Sequence, residues 1–216
     1  MHHPQMMFQP VPSTREMTVT GNGEIVAQPD YAQVQIEVRT QGENVSMIQR
    51  ENAVIMNRVI DSLIALKIPK ESIQTSLYNI FPNYDFTDGR QVLRGYEVQN
   101  AITVKIADIG QVGTVIDTAI QNGANHVSAI EFKIMDTDVY YRQALQFALI
   151  DAVGKATAMA KTMGVTLHTL PVEIIEEQTI APIPYKTMQL SSQRAVTPIE
   201  PGTMSVSASV RVKFSY

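Results

Sequence analysis

Between Asp138 and Met163 alanine returns at every fourth position, at Ala144, Ala148, Ala152, Ala156 and Ala160, with no proline and a single glycine, Gly154, in the run. On a helix such a row makes one narrow ridge of methyl groups, flanked here by Leu145, Leu149, Val153 and Met159. A rod of roughly 39 Å follows from about 1.5 Å per residue, and it can lie very close to a sheet or another helix. A second helix is predicted by the three- and four-residue spacing of Val45, Ile48, Asn52, Ile55, Val59, Ser62 and Leu66, capped by Asn44 and ending before Pro69. A shorter one, capped by Asp108, buries Ile109, Val112, Ile116 and Ile120 and closes at Asn122-Gly123.

Elsewhere the period changes to two, the signature of half-buried strands. Val34, Ile36 and Val38 alternate with Gln33, Gln35, Glu37 and Arg39 within a strand predicted over Glu24–Thr40. Tyr96, Val98, Ile102 and Val104 alternate with Glu97, Gln99, Thr103 and Lys105 over Arg94–Ile106, where Asn100 interrupts the apolar face. Met204, Val206, Ala208, Val210, Val212 and Phe214 alternate with polar residues over Gly202–Tyr216. Shorter strands are expected at Met17–Thr20, Ile73–Phe81, His126–Met135 and near Leu170–Glu176. Gly21-Asn22-Gly23 reads as a turn, and Pro82–Arg90, PNYDFTDGR, as a polar loop between two antiparallel strands.

These elements predict an α+β fold. Its core is a β-α-β-β-α-β ferredoxin-like arrangement over Glu24–Met135, with the long alanine-rich helix and C-terminal long antiparallel strands added to it. Residues 1–16 are expected as a flexible leader and 17–216 as one domain, open to division into two intertwined subdomains. A long loop is expected over about 177–202, where Pro182, Pro184, Pro198 and Pro201 fall with little periodicity. Strands well beyond the usual ~5–6 residues project past a compact sandwich, and projecting edges invite pairing between subunits. The expectation is a homo-oligomer.

Composition narrows the function classes. A net charge of −4 and the lack of any Lys/Arg run argue against a nucleic-acid surface. The absence of cysteine removes disulfides, thiolate nucleophiles and thiolate-bound metals, and leaves the redox compartment open. No apolar stretch reaches the ~18 residues of a membrane helix. The opening MHHPQMMFQPVPSTRE lacks a basic n-region and a long apolar core, which makes the cytoplasm the default expectation, with a periplasmic or envelope location the alternative for a trimmed chain.

Candidate chemistry is sparse. The Gly21–Gly23 pair lacks the third glycine and following helix of a dinucleotide fingerprint. His126 and His168 sit in unrelated segments with no metal-binding or nucleophile-serving spacing, and read as surface or turn residues. Asp136 and Asp138 flank Thr137 just before the alanine helix. They fit an acid/base pair, a metal site short of further oxygen ligands, or a helix cap, of which the cap requires nothing extra. Asn100 on an apolar face needs hydrogen-bond partners, at a sheet edge, a ligand or a subunit interface. Tyr96 beside it, and Tyr140 at the helix start, are further ligand or interface candidates, as aromatic anchors. No catalytic residue, metal site or cofactor is expected.

Five stretches, taken together, resemble the SIMPL-domain family. They are VTGNGEIVAQPDYAQVQIEV, IQTSLYNIFPNYD, RGYEVQNAITVKI, DTAIQNGANHVSAIEFKI, and the alanine helix running into MSVSASVRVKF. The likeness covers about Met17 to Tyr216. It implies an α+β subunit of ferredoxin-like character, ring- or channel-like homo-oligomers in some bacterial relatives, frequent periplasmic or envelope association, and a link to oxidative-stress protection. An animal relative acts as a kinase-associated signalling adaptor. The resemblance carries no catalytic residue onto this chain.

Three readings of function follow. The first is a non-enzymatic, self-assembling binding or scaffold protein. The second is a small-ligand receptor or enzyme using an acidic pocket near Asp136 and Asp138. The third is a protein-interaction adaptor working through Pro82–Arg90 or the 177–202 loop.

Overall fold

The structure, a computed structural model, describes residues 15–87, 89–177, 183–185 and 197–216. In chain order the elements are β1 (Glu16–Ala27), β2 (Tyr31–Gly42), α1 (Val45–Ala65), β3 (Ile73–Thr87), β4 (Arg90–Ile106), α2 (Val112–Gln121), β5 (His126–Lys133), α3 (Thr137–Met163), β6 (Glu173–Glu176), β7 (Ile183–Tyr185) and β8 (Thr203–Ser215). The fold is α+β, with antiparallel sheets. Two compact units form, one from β1, α3, β6 and β8, the other from β2, α1, β3, β4, α2 and β5. The leader expected over 1–16 lies outside the described residues as far as 14, and so does most of the excursion expected over 177–202.

In the first unit the strand order is β1-β8-β6, and α3 packs on β1. All five ridge alanines are buried, and Ala148, Ala152, Ala156 and Ala160 join Met17, Val19, Val210, Val212 and Phe214 in one apolar cluster. Gly21-Asn22-Gly23 is not a turn. β1 runs straight through it, with Gly21 and Gly23 on the buried face. A Cβ on Gly21 would overlap the carbonyl oxygen of Ala148, and one on Gly23 that of Ala144. The glycines are there because helix backbone occupies the space a side chain would need. The chain turns later, after Ala27, so the strand expected over Glu24–Thr40 is in fact the end of β1 and most of β2.

In the second unit the strand order is β3-β4-β2-β5, each neighbour pair antiparallel. Val34, Ile36, Val38, Ile102, Val104 and Ile106 form the buried sheet face, closed by Met56, Val59 and Leu63 of α1 and Val112, Val115 and Ile116 of α2. Asn52, fully buried in α1, donates from Nδ2 to the carbonyl of Val38 at 2.9 Å and reaches that of Val98 at 3.4 Å, pinning helix to sheet. Asn44 caps α1 by accepting the N–H of Met47.

The polar loop expected over Pro82–Arg90 is largely strand. β3 continues to Thr87 and β4 begins at Arg90, pairing Tyr84 with Leu93, Asp85 with Val92 and Phe86 with Gln91. Tyr84, Phe86, Val92 and Leu93 supply β propensity that the turn-forming Asn83, Asp85 and Gly89 do not override.

Candidate functional site

The second sheet has two faces, and α1 and α2 both pack on the same one. On the other, the odd-numbered residues of β2 face those of β4, so that Glu37 lies opposite Ala101, Arg39 opposite Gln99 and Gln41 opposite Glu97. Glu37 is 4% exposed. Its carboxylate accepts two hydrogen bonds from Arg39, Nε to Oε1 and Nη2 to Oε2, both at 2.9 Å. From β5, His126 brings Nε2 to 3.8 Å of Glu37 Oε2. Asn125 fixes the backbone beside them, accepting the Arg39 N–H at 2.9 Å and donating to the Arg39 carbonyl at 2.8 Å.

The same network extends toward the end of the sheet. Glu97 accepts from the Gln99 amide at 2.6 Å and from the Gln41 amide. These bonds, led by that from Gln99 and joined by the Arg39 charge and the Asn83 amide, hold the Glu97 carboxyl below its ordinary range against the opposing effect of burial. The Arg39 guanidinium is pushed further up, chiefly by its hydrogen bond to Glu37. Each carboxylate here already has its donors, so the cluster forms a braced surface.

That brace sits where the sheet narrows to two strands. β2 ends at Gly42, opposite Tyr96, and beyond it β3 and β4 continue alone as an arm through Asn83–Gly95 to Thr87–Arg90. Gly95, at φ 145°, allows the departure, because a Cβ there would stand 2.6 Å from the Gly42 carbonyl oxygen. On the arm, Tyr84, Phe86 and Leu93 share one face, and Phe86 is 79% exposed. The other face carries Asp85, Val92 and Arg94, with Arg94 Nε 2.7 Å from Asp85 Oδ2. A two-stranded hairpin is marginal by itself in water, and an uncovered aromatic face makes it more so.

The five residues singled out from sequence fall in two places. Tyr96 and Asn100 lie half-buried on β4 at and just inside the arm's base, Tyr96 opposite Gly42 and Asn100 opposite Val38 and Tyr78. Asp136, Asp138 and Tyr140 belong to the start of α3 in the other unit. Asp136 is the N-cap, accepting from the Val139 N–H at 3.4 Å, Asp138 is exposed in the first turn, and Tyr140 is half-buried. Among the described residues no cluster of three or more His, Asp or Glu side chains is placed to hold a metal ion. Glu37, Arg39 and His126 were not singled out together from sequence. The usable signal was a Glu and an Arg two residues apart on a strand central enough to bury one of them.

Comparison with known proteins adds a family. A family model described as SIMPL, a protein of unknown function (DUF541), matches residues 17–214. The 26 kDa periplasmic immunogenic protein of Brucella melitensis biotype 1 is 28% identical over 221 residues, covering 97% of this chain and 86% of that protein. The uncharacterized protein YggE of Escherichia coli K12 is 23% identical over 150 residues, 69% of this chain and 61% of that protein. The cytoplasmic default does not survive, since relatives from Brucella melitensis and Brucella abortus are named as periplasmic. It rested on the composition of the first sixteen residues, which does not determine where a cysteine-free domain works. Among the described residues no helix is long and apolar enough to cross a membrane.

Proposed function

The chain belongs to the SIMPL family, and from that footing we propose that it is a non-enzymatic, self-assembling scaffold of the periplasm whose subunits join through the β3–β4 arm. One observation carries the reading. Among the described residues, the arm leaves its own sheet with an exposed apolar face of Tyr84, Phe86 and Leu93 and with both strand edges unpaired beyond Gly42. Long apolar edges of this kind are ordinarily blunted in monomers, and here charge is confined to the opposite face. The braced network of Glu37, Arg39, Gln41, Glu97 and Gln99 gives the arm a stiff base. The relatives' names support the compartment.

The acidic-pocket reading has no comparable support, because Asp136 already serves the Val139 N–H and Asp138 lies exposed in the first turn of α3. Light scattering on a sizing column, across a dilution series of the untagged chain, tests the proposal. A multiple of the 23.9 kDa chain mass that persists on dilution is the expected result. A clean monomer at every concentration refutes it.

A further inference from the structure

β8 is entered through residues 197–202, a strap that belongs to the second unit and has no helix or strand of its own. Among the described residues no backbone hydrogen bond ties this strap to the rest of the chain. Pro198 and Pro201 have no N–H with which to make one. The strap is held at two points. Asp117, half-buried in α2, engages Thr197 with both carboxylate oxygens, the Thr197 N–H donating to Oδ2 at 3.2 Å and its hydroxyl to Oδ1 at 2.6 Å. Two residues on, Ile199 packs against the apolar core of the unit, while Thr197, Pro198 and Glu200 stay exposed.

A charged acceptor for one residue and an apolar seat for the residue two positions on is how proteins recognise extended, proline-containing peptides. Aspartate is also a poor residue for a helix interior, and both oxygens of Asp117 hold the strap, so this side chain serves the strap more than the helix. We propose that α2 carries a peptide-binding site centred on Asp117, which residues 197–201 fill as a built-in ligand. The partner is an extended, proline-containing segment of another protein, with threonine or serine for Asp117 and a branched aliphatic side chain two residues later.

Exchange is inexpensive in contacts. A partner breaks two hydrogen bonds at a half-buried carboxylate and one half-buried apolar contact, and it remakes all three. Tethering sets the threshold. A covalently attached segment faces its site at an effective concentration on the order of millimolar, so a weak free peptide is refused while the strap is seated. The site uses no residue of the β3–β4 arm, and it stands apart from the reading of that arm as the assembly element.

A labelled, acetylated and amidated peptide copying Thr197–Pro201, titrated onto full-length chains by fluorescence anisotropy, tests the site. Thr197→Val with Ile199→Ser loosens the strap and leaves Asp117 in place. That chain is expected to bind the peptide at least about ten-fold more tightly than the native chain. Adding Asp117→Asn is expected to remove the gain, as is a peptide with valine in place of its threonine. Thr197→Val alone repeats the measurement should the double variant fail to fold. A folded, strap-loosened chain that ignores millimolar peptide, or binding that Asp117→Asn leaves unchanged, overturns the proposal. Peptide that breaks up a native oligomer assigns the site to the strap of a second copy, and overturns the foreign partner.

Discussion

β1 and the β3–β4 arm are both strands at the limit of a sheet, and they are finished in opposite ways. β1 is sealed by its own chain. The Asn22 N–H donates to Asp151 Oδ2 at 2.8 Å, and Lys155, 2.7 Å from that same carboxylate, donates to the Thr20 carbonyl at 2.9 Å. Below these bonds Gly21 and Gly23 admit the alanine ridge of α3 into backbone contact. Among the described residues the arm has no such cover. On the reading proposed above, the contrast separates an edge used for folding from one open to association, and it turns on side-chain size and on where the strand's free backbone groups find partners.

The contrast is broken most severely at the sealed edge. Gly21→Val places a branched side chain where the Ala148 carbonyl lies, and should cost about 3 kcal/mol or more, read from denaturant or thermal unfolding. Ala152→Leu overfills the same seam from the helix side, at about 1–3 kcal/mol. Unchanged unfolding in both variants would mean the ridge is not in contact. At the arm's base, Glu37→Gln removes one of the two charges of a bidentate pair and should destabilise by about 1–2 kcal/mol.

On the arm itself the order of effects inverts. Tyr84→Ser combined with Phe86→Ser should leave subunit stability within about 0.5 kcal/mol and yet abolish the oligomer on light scattering. A pH series sharpens the brace. Glu97 has its folded pKa lowered, so its contribution is fully present above the ordinary glutamate range and is lost as pH falls through the folded value. The effect is modest because the group is partly exposed and screened. Unfolding midpoints should fall faster on acidification for the native chain than for Glu97→Gln, and parallel curves would remove Glu97 from the brace.

Much of this fold was legible from period alone. The alanine ridge is buried where its four-residue spacing put it, and the alternations in β2, β4 and β8 mark their buried faces. Gly21-Asn22-Gly23 misled because glycine marks both a turn and a close approach, and only the partner helix, far away in sequence, tells them apart. The arm was hidden for a related reason, since Asn83, Asp85 and Gly89 are turn formers while the pairing of Tyr84 with Leu93 is non-local. The Glu37–Arg39–His126 cluster escaped because alternation assigns every second residue to solvent, and says nothing of a strand central enough to bury a carboxylate there.

Amide hydrogen exchange across a dilution series probes the two edges in one experiment. The Asn22 amide should stay protected at every concentration, because its acceptor is in the same chain. Amides in 83–87 and 90–95 should be protected in the oligomer and lose that protection as it is diluted to monomer. Arm protection that does not depend on concentration, or an Asn22 amide that exchanges as freely as the arm, would contradict the division between a sealed edge and an open one.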